Sequence, residues 1–580
     1  MKKWSPSTLD TAETNLRAAR RSMLDLADEL ETMGLPKRWT GDASVTARSR
    51  LRTVSQDLKD VVAEVSAAYT AVCDAADGVR GVELAVEAVS EYARLHSLAV
   101  SDTGWVTDAG PAIDTGNAHD DEIARGERQG WVTECVDRIE QALRKAEDVD
   151  ADLSAVLEKI ELDRIRVTTG GLATASRVGA VEGNLSMLEP PPGGTVSENA
   201  AWWATLSPDE REEVIARTPR WIGNLDGVDF TSRDLANRNL LDDRRARVEE
   251  LLADPSTSAA ERESLLEEQA SIRTIDEMLG REGEHQLVGL DFVQERTQAI
   301  VVNGNLDTAD NVAVFTPGMT SNVPGMAGYD ANMLDLKKRM EDVLLAEGDT
   351  RADGTPKTVA TVTWMGYQAP QALPDLSVVS QGPADRGAED LANFYRGINS
   401  SRVADPDLTA LGHSYGSTTT GLAVQHENTG VDRTVLFGSP GAGTDDIDDY
   451  NTPSGSTYYS ETYDDPVGDI GRFGADPSGL DGVTQLETTE ATDADGRTLT
   501  ESRGHSQYLH DGTTSQHNMA AIAAGHEEQV VEDDGQGFWG GLRDDASDAL
   551  DDAKEEVGRT LREEYEEKKE WAGRLKDWIT

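Results

Sequence analysis

Apolar residues recur at alternating steps of three and four through the first hundred positions. They run Leu16, Ala19, Met23, Leu26, Leu30 and Met33, then Leu51, Val54, Leu58, Val61, Val65, Ala68, Val72 and Ala75. This spacing predicts two helices sharing a heptad seam. Gly34-Leu35-Pro36 stops the first, and the second begins near Asp42, so residues 1–100 are expected to form an antiparallel helical hairpin. Residues 101–128 are polar and rich in Gly and Asp, which predicts a linker. A stripe at Ile139, Leu143, Ala146, Val149, Leu153, Val156 and Ile160 predicts a further helix from about Val132. Pro190-Pro191-Pro192-Gly193-Gly194 marks a boundary near residue 196. Beyond it, Ser207 as N-cap and Pro208 at the first helical position open a helix. A charged helical pair over 242–282 then closes a segment spanning 197–285.

From Leu287 the pattern changes to short apolar runs alternating with helical stretches. Strands are expected at 287–292, 299–302, 312–315, 359–364, 408–411, 433–437, 457–459 and 483–486, with helices near 330–345, 386–398 and 417–426. Asn303-Gly304-Asn305 is a turn and suggests an early hairpin. The fold class is therefore α/β over residues 286–530, with a mostly parallel sheet, preceded by an all-α region. Residues 531–580 alternate in charge and read as a solvated C-terminal helix.

Composition narrows the partners. Asp and Glu outnumber Lys and Arg by 108 to 54, a formal charge of −54. Such a surplus argues against nucleic acid and anionic lipid headgroups as electrostatic partners. Two cysteines, Cys73 and Cys135, make no metal or redox motif; they read as buried thiols, with a single disulfide as the alternative outside the cell. No run approaches the ~18 apolar residues of a membrane span. The N-terminus has lysines without an apolar core, so no signal peptide is expected.

The chemistry centres on Gly412-His413-Ser414-Tyr415-Gly416. A strand-like run leads into this G-x-S-x-G pentapeptide and a helix-competent run leads out, the context of a nucleophile elbow. Serine needs a base to take its proton, and the base needs a carboxylate to hold its tautomer. Downstream, His505 in Gly504-His505-Ser506-Gln507-Tyr508 is the candidate base. Asp464 or Asp465, in the loop after 457–459, is the candidate acid. An oxyanion needs two N–H donors. Tyr415, next to the serine, supplies one; Met319, with Thr320 as neighbour, is placed as the other in Thr316-Pro317-Gly318-Met319-Thr320. No metal-binding spacing and no cofactor fingerprint is present, so neither group is expected.

Two resemblances sharpen this reading. The G-H-S-Y-G elbow, Asp465-Pro466-Val467 and the G-H-S-x-Y histidine, together with Trp202-Trp203, Gly223-Asn224-Leu225-Asp226-Gly227 and Ala236-Asn237-Arg238, resemble an actinobacterial α/β-hydrolase family of unknown function. The resemblance covers about residues 197–530. It implies the triad Ser414, Asp465 and His505, the D-P-V pattern favouring Asp465 over Asp464, and leaves segment 197–285 as either a packing module or a lid. Trp39-Thr40-Gly41 at the break between the first two helices resembles the WxG-motif substrates of type VII secretion. That family's export signal places an acidic residue four after a tyrosine; here Tyr69 is followed by Cys73 and Tyr92 by His96.

The expected activity is hydrolysis of a small-molecule or lipid carboxylic ester through an acyl-enzyme, with amide hydrolysis or acyl transfer open to the same triad. The alternative makes the helical region the working part, an interaction or secretion module with a helical partner or dimer through residues 9–75. Localisation is then cytoplasmic, or extracellular by a type VII-like route.

Overall fold

In the computed structural model, the described residues are 6–32, 39–371, 380–402, 404–465, 467, 473–494 and 496–532. Gly34-Leu35-Pro36 and the expected C-terminal helix over 533–580 lie outside them. The chain divides into two compact units, one of Met1–Ser258 with Leu287–Leu290 and Asn393–Asp405, the other of Ala259–Gln286, Asp291–Ala392 and Pro406–Thr580.

The first unit is helical. Helices Pro6–Thr32 and Asp42–Leu95 pack together, as the seam predicts. Gly41 caps the second with φ +102°, and Trp39 is 41% exposed rather than packed on the turn. The seam is only partly the buried line. Val54 and Val61 are exposed, whereas Val62, Ala63, Ala67, Ala71 and Ala75 are buried. The reason is that the second helix carries further neighbours, Ala118–Glu161 and Leu172–Gly183. The last approaches so closely that a Cβ on Gly179 or Gly183 would overlap the carbonyl oxygens of Ala63 and Ala67. A heptad pattern records one partner face; small residues record the other.

The expected linker and the expected start of the next helix both change. Residues 101–128 are not a plain linker. Leu98–Val100 and Val106–Asp108 form an antiparallel ribbon, and the next helix starts at Ala118, capped by the Asn117 side chain, rather than near Val132. The tryptophans of 197–245 pack. Trp202 and Trp203 are buried, their indole N–H groups donating to Leu188 O and Asp229 Oδ2. Asn237 Nδ2 donates to Gly223 O and Leu287 O at 2.7 and 3.0 Å, and buried Arg233 pairs with Asp226 at 2.8 Å.

The second unit is built on the predicted sheet. The strands of the sheet are β1 (His285–Asp291, of which Leu287–Leu290 belong to the first unit), β2 (Gln298–Asn303), β3 (Asn311–Thr316), β4 (Val359–Met365), β5 (Asp407–His413), β6 (Arg433–Phe437), β7 (Thr457–Ser460) and β8 (Val483–Leu486). Their order across the sheet is β8-β7-β6-β5-β3-β4-β2-β1. Pairing is parallel from β4 through β3 to β8, and β2 runs antiparallel to β4. Strands β3 to β6 are buried almost throughout, as both-face burial requires. The hairpin expected at Asn303-Gly304-Asn305 does not form, because β4 lies between β2 and β3. The turn is local, while the strand pairing is not. Helices Met326–Glu347, Gly382–Ser400, Tyr415–Ala423 and Thr514–Ala523 complete the α/β pattern.

Gly179→Ala and Gly183→Ala are expected to lower the stability of the helical unit by roughly 1–3 kcal/mol each through overpacking. Gly171→Ala, at the N-cap of the same helix where a Cβ meets nothing within 4 Å, tests capping without overpacking and is expected to cost less. Urea melting followed by circular dichroism measures the difference.

Candidate active site

Strand β5 ends at His413, and Ser414 follows with φ +55° and ψ −133° before helix Tyr415–Ala423 begins. That backbone conformation is unfavourable for a residue with a side chain, by roughly 1–3 kcal/mol. Its neighbours hold it. Ser414 N–H donates to Phe437 O at 3.1 Å, and Ser414 O accepts from Ser417 N–H at 2.9 Å and from Ser417 Oγ at 2.6 Å. The flanking glycines leave the necessary room. A Cβ on Gly412 would lie 2.6 Å from Ser417 Cα, and one on Gly416 would lie 2.7 Å from Pro317 O and closer still to Thr316 O.

The Thr316–Thr320 loop comes up against the serine. A Cβ on Gly318 would lie 2.5 Å from Ser414 Cβ and 3.0 Å from Ser414 Oγ, so only glycine fits there. Thr320 N–H donates to Pro370 O at 2.7 Å and is thereby engaged. Among the described residues, no hydrogen bond is donated by Met319 N–H or by Tyr415 N–H, the first in the helix after the serine. The loop is anchored by Tyr367, whose hydroxyl donates to Pro317 O at 2.7 Å. Tyr415 ties down a second segment, donating to Ser380 O at 2.7 Å and accepting from Ala384 N–H at 3.2 Å. Burial pushes the Tyr415 phenol up to about 12, so it stays a neutral donor.

The two candidate acids separate in space. Asp465 accepts from His505 Nδ1 at 2.9 Å on both carboxylate oxygens, while Asp464 accepts from Gly504 N–H at 2.6 Å. Asp465 also accepts from Val467 N–H at 2.9 Å and Tyr508 Oη at 2.6 Å. Burial alone would raise its carboxyl; the hydrogen bonds from His505, Tyr508 and Val467 outweigh burial and hold it below the ordinary value. His505 therefore presents Nδ1–H to the acid, which leaves Nε2 as its basic nitrogen. No hydrogen bond joins Ser414 Oγ to His505 in this structure, and such contacts are often long before substrate binds. Both residues lie beside the end of β6. Ser414 N–H is bonded to Phe437, and a Cβ on the next residue, Gly438, would lie 2.7 Å from Asp465 Oδ2 and 3.2 Å from His505 Nδ1.

Other histidines are engaged elsewhere. His413 is buried, stacks on Phe437, and lies 4.6 Å from the His505 ring. Its Nε2 is 2.7 Å from His505 O. Burial, then the His505 ring, lower its pKa to about 4. It is neutral near pH 7 and donates Nε2–H to that carbonyl. His517 is buried in helix Thr514–Ala523, between Arg339 Nη2 and Gln529 O. His526 contacts Glu528 and Asp349. Among the described residues no His, Cys, Asp or Glu cluster is gathered as a metal site.

Three residues of this site escape the sequence reading. Tyr508 was visible as a letter of G-H-S-x-Y but carried no role. Gly438 follows β6, and its φ of +53° and its place against the acid–histidine pair require glycine. His413 was the variable position of the pentapeptide. Only the strand-following position of Gly438 offered a signal.

Residues 293–475 match the family model described as alpha/beta hydrolase. An uncharacterized protein of Mycobacterium bovis is 32% identical over 228 residues, covering 37% of this chain and 82% of that protein. The chain belongs to the alpha/beta-hydrolase family that these matches define. An uncharacterized protein of Mycobacterium tuberculosis is 27% identical over 390 residues, 59% of this chain and 58% of that protein. The chain thus spans little more than half the length of that longer relative. Among solved structures, an arylesterase aligns at 12% identity and TM-score 0.26, covering 50% of this chain and 97% of that one. An esterase from Pyrobaculum calidifontis aligns at 14% and 0.20, covering 34% and 58%. Likenesses of this size carry no argument about activity.

The depressed pKa of His413 predicts an acid-sensitive fold. Between about pH 6.5, its unfolded value, and about 4, its folded value, the unfolded chain binds the extra proton, so stability falls as pH falls through that window. The full effect is about 3 kcal/mol. His413→Gln, an uncharged donor, is expected to flatten this part of a melting-temperature profile. The lowered Asp465 carboxyl acts further down. Its contribution is complete above the unfolded value of about 4 and is lost as pH falls through the folded one.

Proposed function

We propose that this protein is a serine hydrolase acting on carboxylic esters. Ser414 Oγ attacks the carbonyl carbon, and His505 Nε2 takes the hydroxyl proton and returns it to the leaving alcohol. Asp465 fixes the imidazole through Nδ1, and the resulting acyl-enzyme is released by water. Met319 and Tyr415 N–H groups stabilise the tetrahedral oxyanion. The observation that carries this reading is the strained Ser414 elbow set beside an Asp465–His505 pair bonded at 2.9 Å. The unengaged N–H groups of Tyr415, next to the serine, and of Met319, next to Gly318 against it, support it. An ester substrate is preferred to an amide on the expectation drawn from sequence, and the same residues would serve an acyl transfer.

Export is a separate proposal. It is supported by the helical pair Pro6–Thr32 and Asp42–Leu95, with Gly41 opening the second helix. Exposed Val54 and Val61 support a helical partner along residues 9–75. In this helix no 18-residue window is apolar enough to cross a membrane, nor in any other among the described residues. Appearance in culture medium only when a type VII apparatus is present would support export; equal retention with and without it sinks the idea.

A fluorophosphonate probe should label the wild-type protein and leave Ser414→Ala unlabelled. Hydrolysis of p-nitrophenyl acyl esters by Ser414→Ala should fall by at least about a thousandfold. Asp465→Asn should lose far more activity than Asp464→Asn. Parity of the two acid variants would contradict the assignment of the triad.

A further inference from the structure

We infer that Tyr508 is a positioning residue of the site, tuning the basicity that Asp465 imposes on His505; this rests on the serine-hydrolase reading above. Tyr508 is 1% exposed. Its hydroxyl does two things at once, donating to Asp465 Oδ2 at 2.6 Å and accepting from Thr462 N–H at 3.0 Å. The backbone amide fixes the hydroxyl rotor, so the proton has one direction to point, toward the carboxylate. Burial and the adjacent carboxylate both raise the Tyr508 phenol above its ordinary range, so it remains a donor at any pH at which the enzyme is folded.

The oxygen it engages is shared. Asp465 Oδ2 lies 2.9 Å from His505 Nδ1 as well. A proton donated to Oδ2 withdraws negative charge from the group that stabilises the imidazolium, so Tyr508 tempers that stabilisation. It also fixes the carboxylate plane, which is otherwise held at the other oxygen by Val467 N–H. The surrounding contacts show that the two loops are joined as one piece. Thr462 Oγ1 donates to Gly504 O at 3.0 Å, and Gly504 N–H donates to Asp464. The other titratable groups facing the pair are His413, through His505 O, and Asp464, through Gly504 N–H. Neither donates a hydrogen bond to the Asp465 carboxylate, so among the described residues Tyr508 is the side chain, besides His505, that bonds to it.

Two variants of the full chain test this, with p-nitrophenyl ester hydrolysis followed as a function of pH. Tyr508→Phe removes the donor. Its kcat should fall about tenfold, the worth of one hydrogen bond, with KM within about twofold. Its acid limb of kcat/KM should move to higher pH, because the unshared carboxylate holds the imidazolium more tightly. Replacing Tyr508 with 3-fluorotyrosine keeps the ring and its packing and makes the hydroxyl a stronger donor, so the limb should move to lower pH. A purely structural tyrosine would not give opposite shifts. Folded variants that keep the wild-type limb, or that move it in the same direction, overturn the inference. If Tyr508→Phe does not fold, the fluorotyrosine protein decides alone. A wild-type protein that neither takes up a fluorophosphonate nor hydrolyses esters brings down the reading of the site and this inference with it. An active wild type with unmoved variants brings down this inference alone.

Discussion

The backbone of Ser414 stands in a conformation that its own side chain opposes, and the second unit is arranged so that it has no alternative. Strand β5 delivers the residue, the amide of Ser414 is tied to β6 at Phe437, and helix Tyr415–Ala423 leaves at once. Relaxing φ would break the bond to Phe437 and move the serine away from the Gly318 loop. The strain is small beside the buried β3–β6 core that enforces it. Three close approaches make the arrangement possible, at Gly412, Gly416 and Gly318, and each is a place where a single methyl group has no room.

Around that fixed point, hydrogen bonds rather than ion pairs set the chemistry. Asp465 is buried, yet it keeps a depressed carboxyl because three donors converge on it. His413 is buried and kept neutral, so a second imidazole can sit beside His505 without placing two positive charges together. The net acidity of the chain has no visible part in this centre and belongs to the surface.

What was legible in the sequence was what is local. The elbow is spelled by adjacent residues whose conformation the glycines dictate, and all eight strands announce themselves as short apolar runs. What was hidden depends on chain segments meeting. Tyr508 had a motif but no partner until Asp465 came within reach, and Gly438 had no reason to be glycine until two loops converged on it. At Asn303-Gly304 the strand β2 ends in a bend rather than a hairpin turn, and β4 from further along the chain takes the place beside it that the hairpin would have given to β3. In the helical unit the heptad rhythm of Asp42–Leu95 captured one packing face. The other is encoded by alanines facing glycines, which carry little hydrophobic signal and were passed over.

The pairing of β3 with β5 joins segments far apart in sequence, with the whole of β4 and its flanking helices threaded between them. Such pairings close late in folding, since loop entropy must be overcome before they form. The backbone strain at Ser414 has nothing to hold it until they do. A chain whose sheet is incomplete therefore has a serine with an ordinary, unstrained backbone, and under the function proposed above its nucleophilicity would arise only with the finished fold. The φ of Ser414 is thus a local record of completed topology.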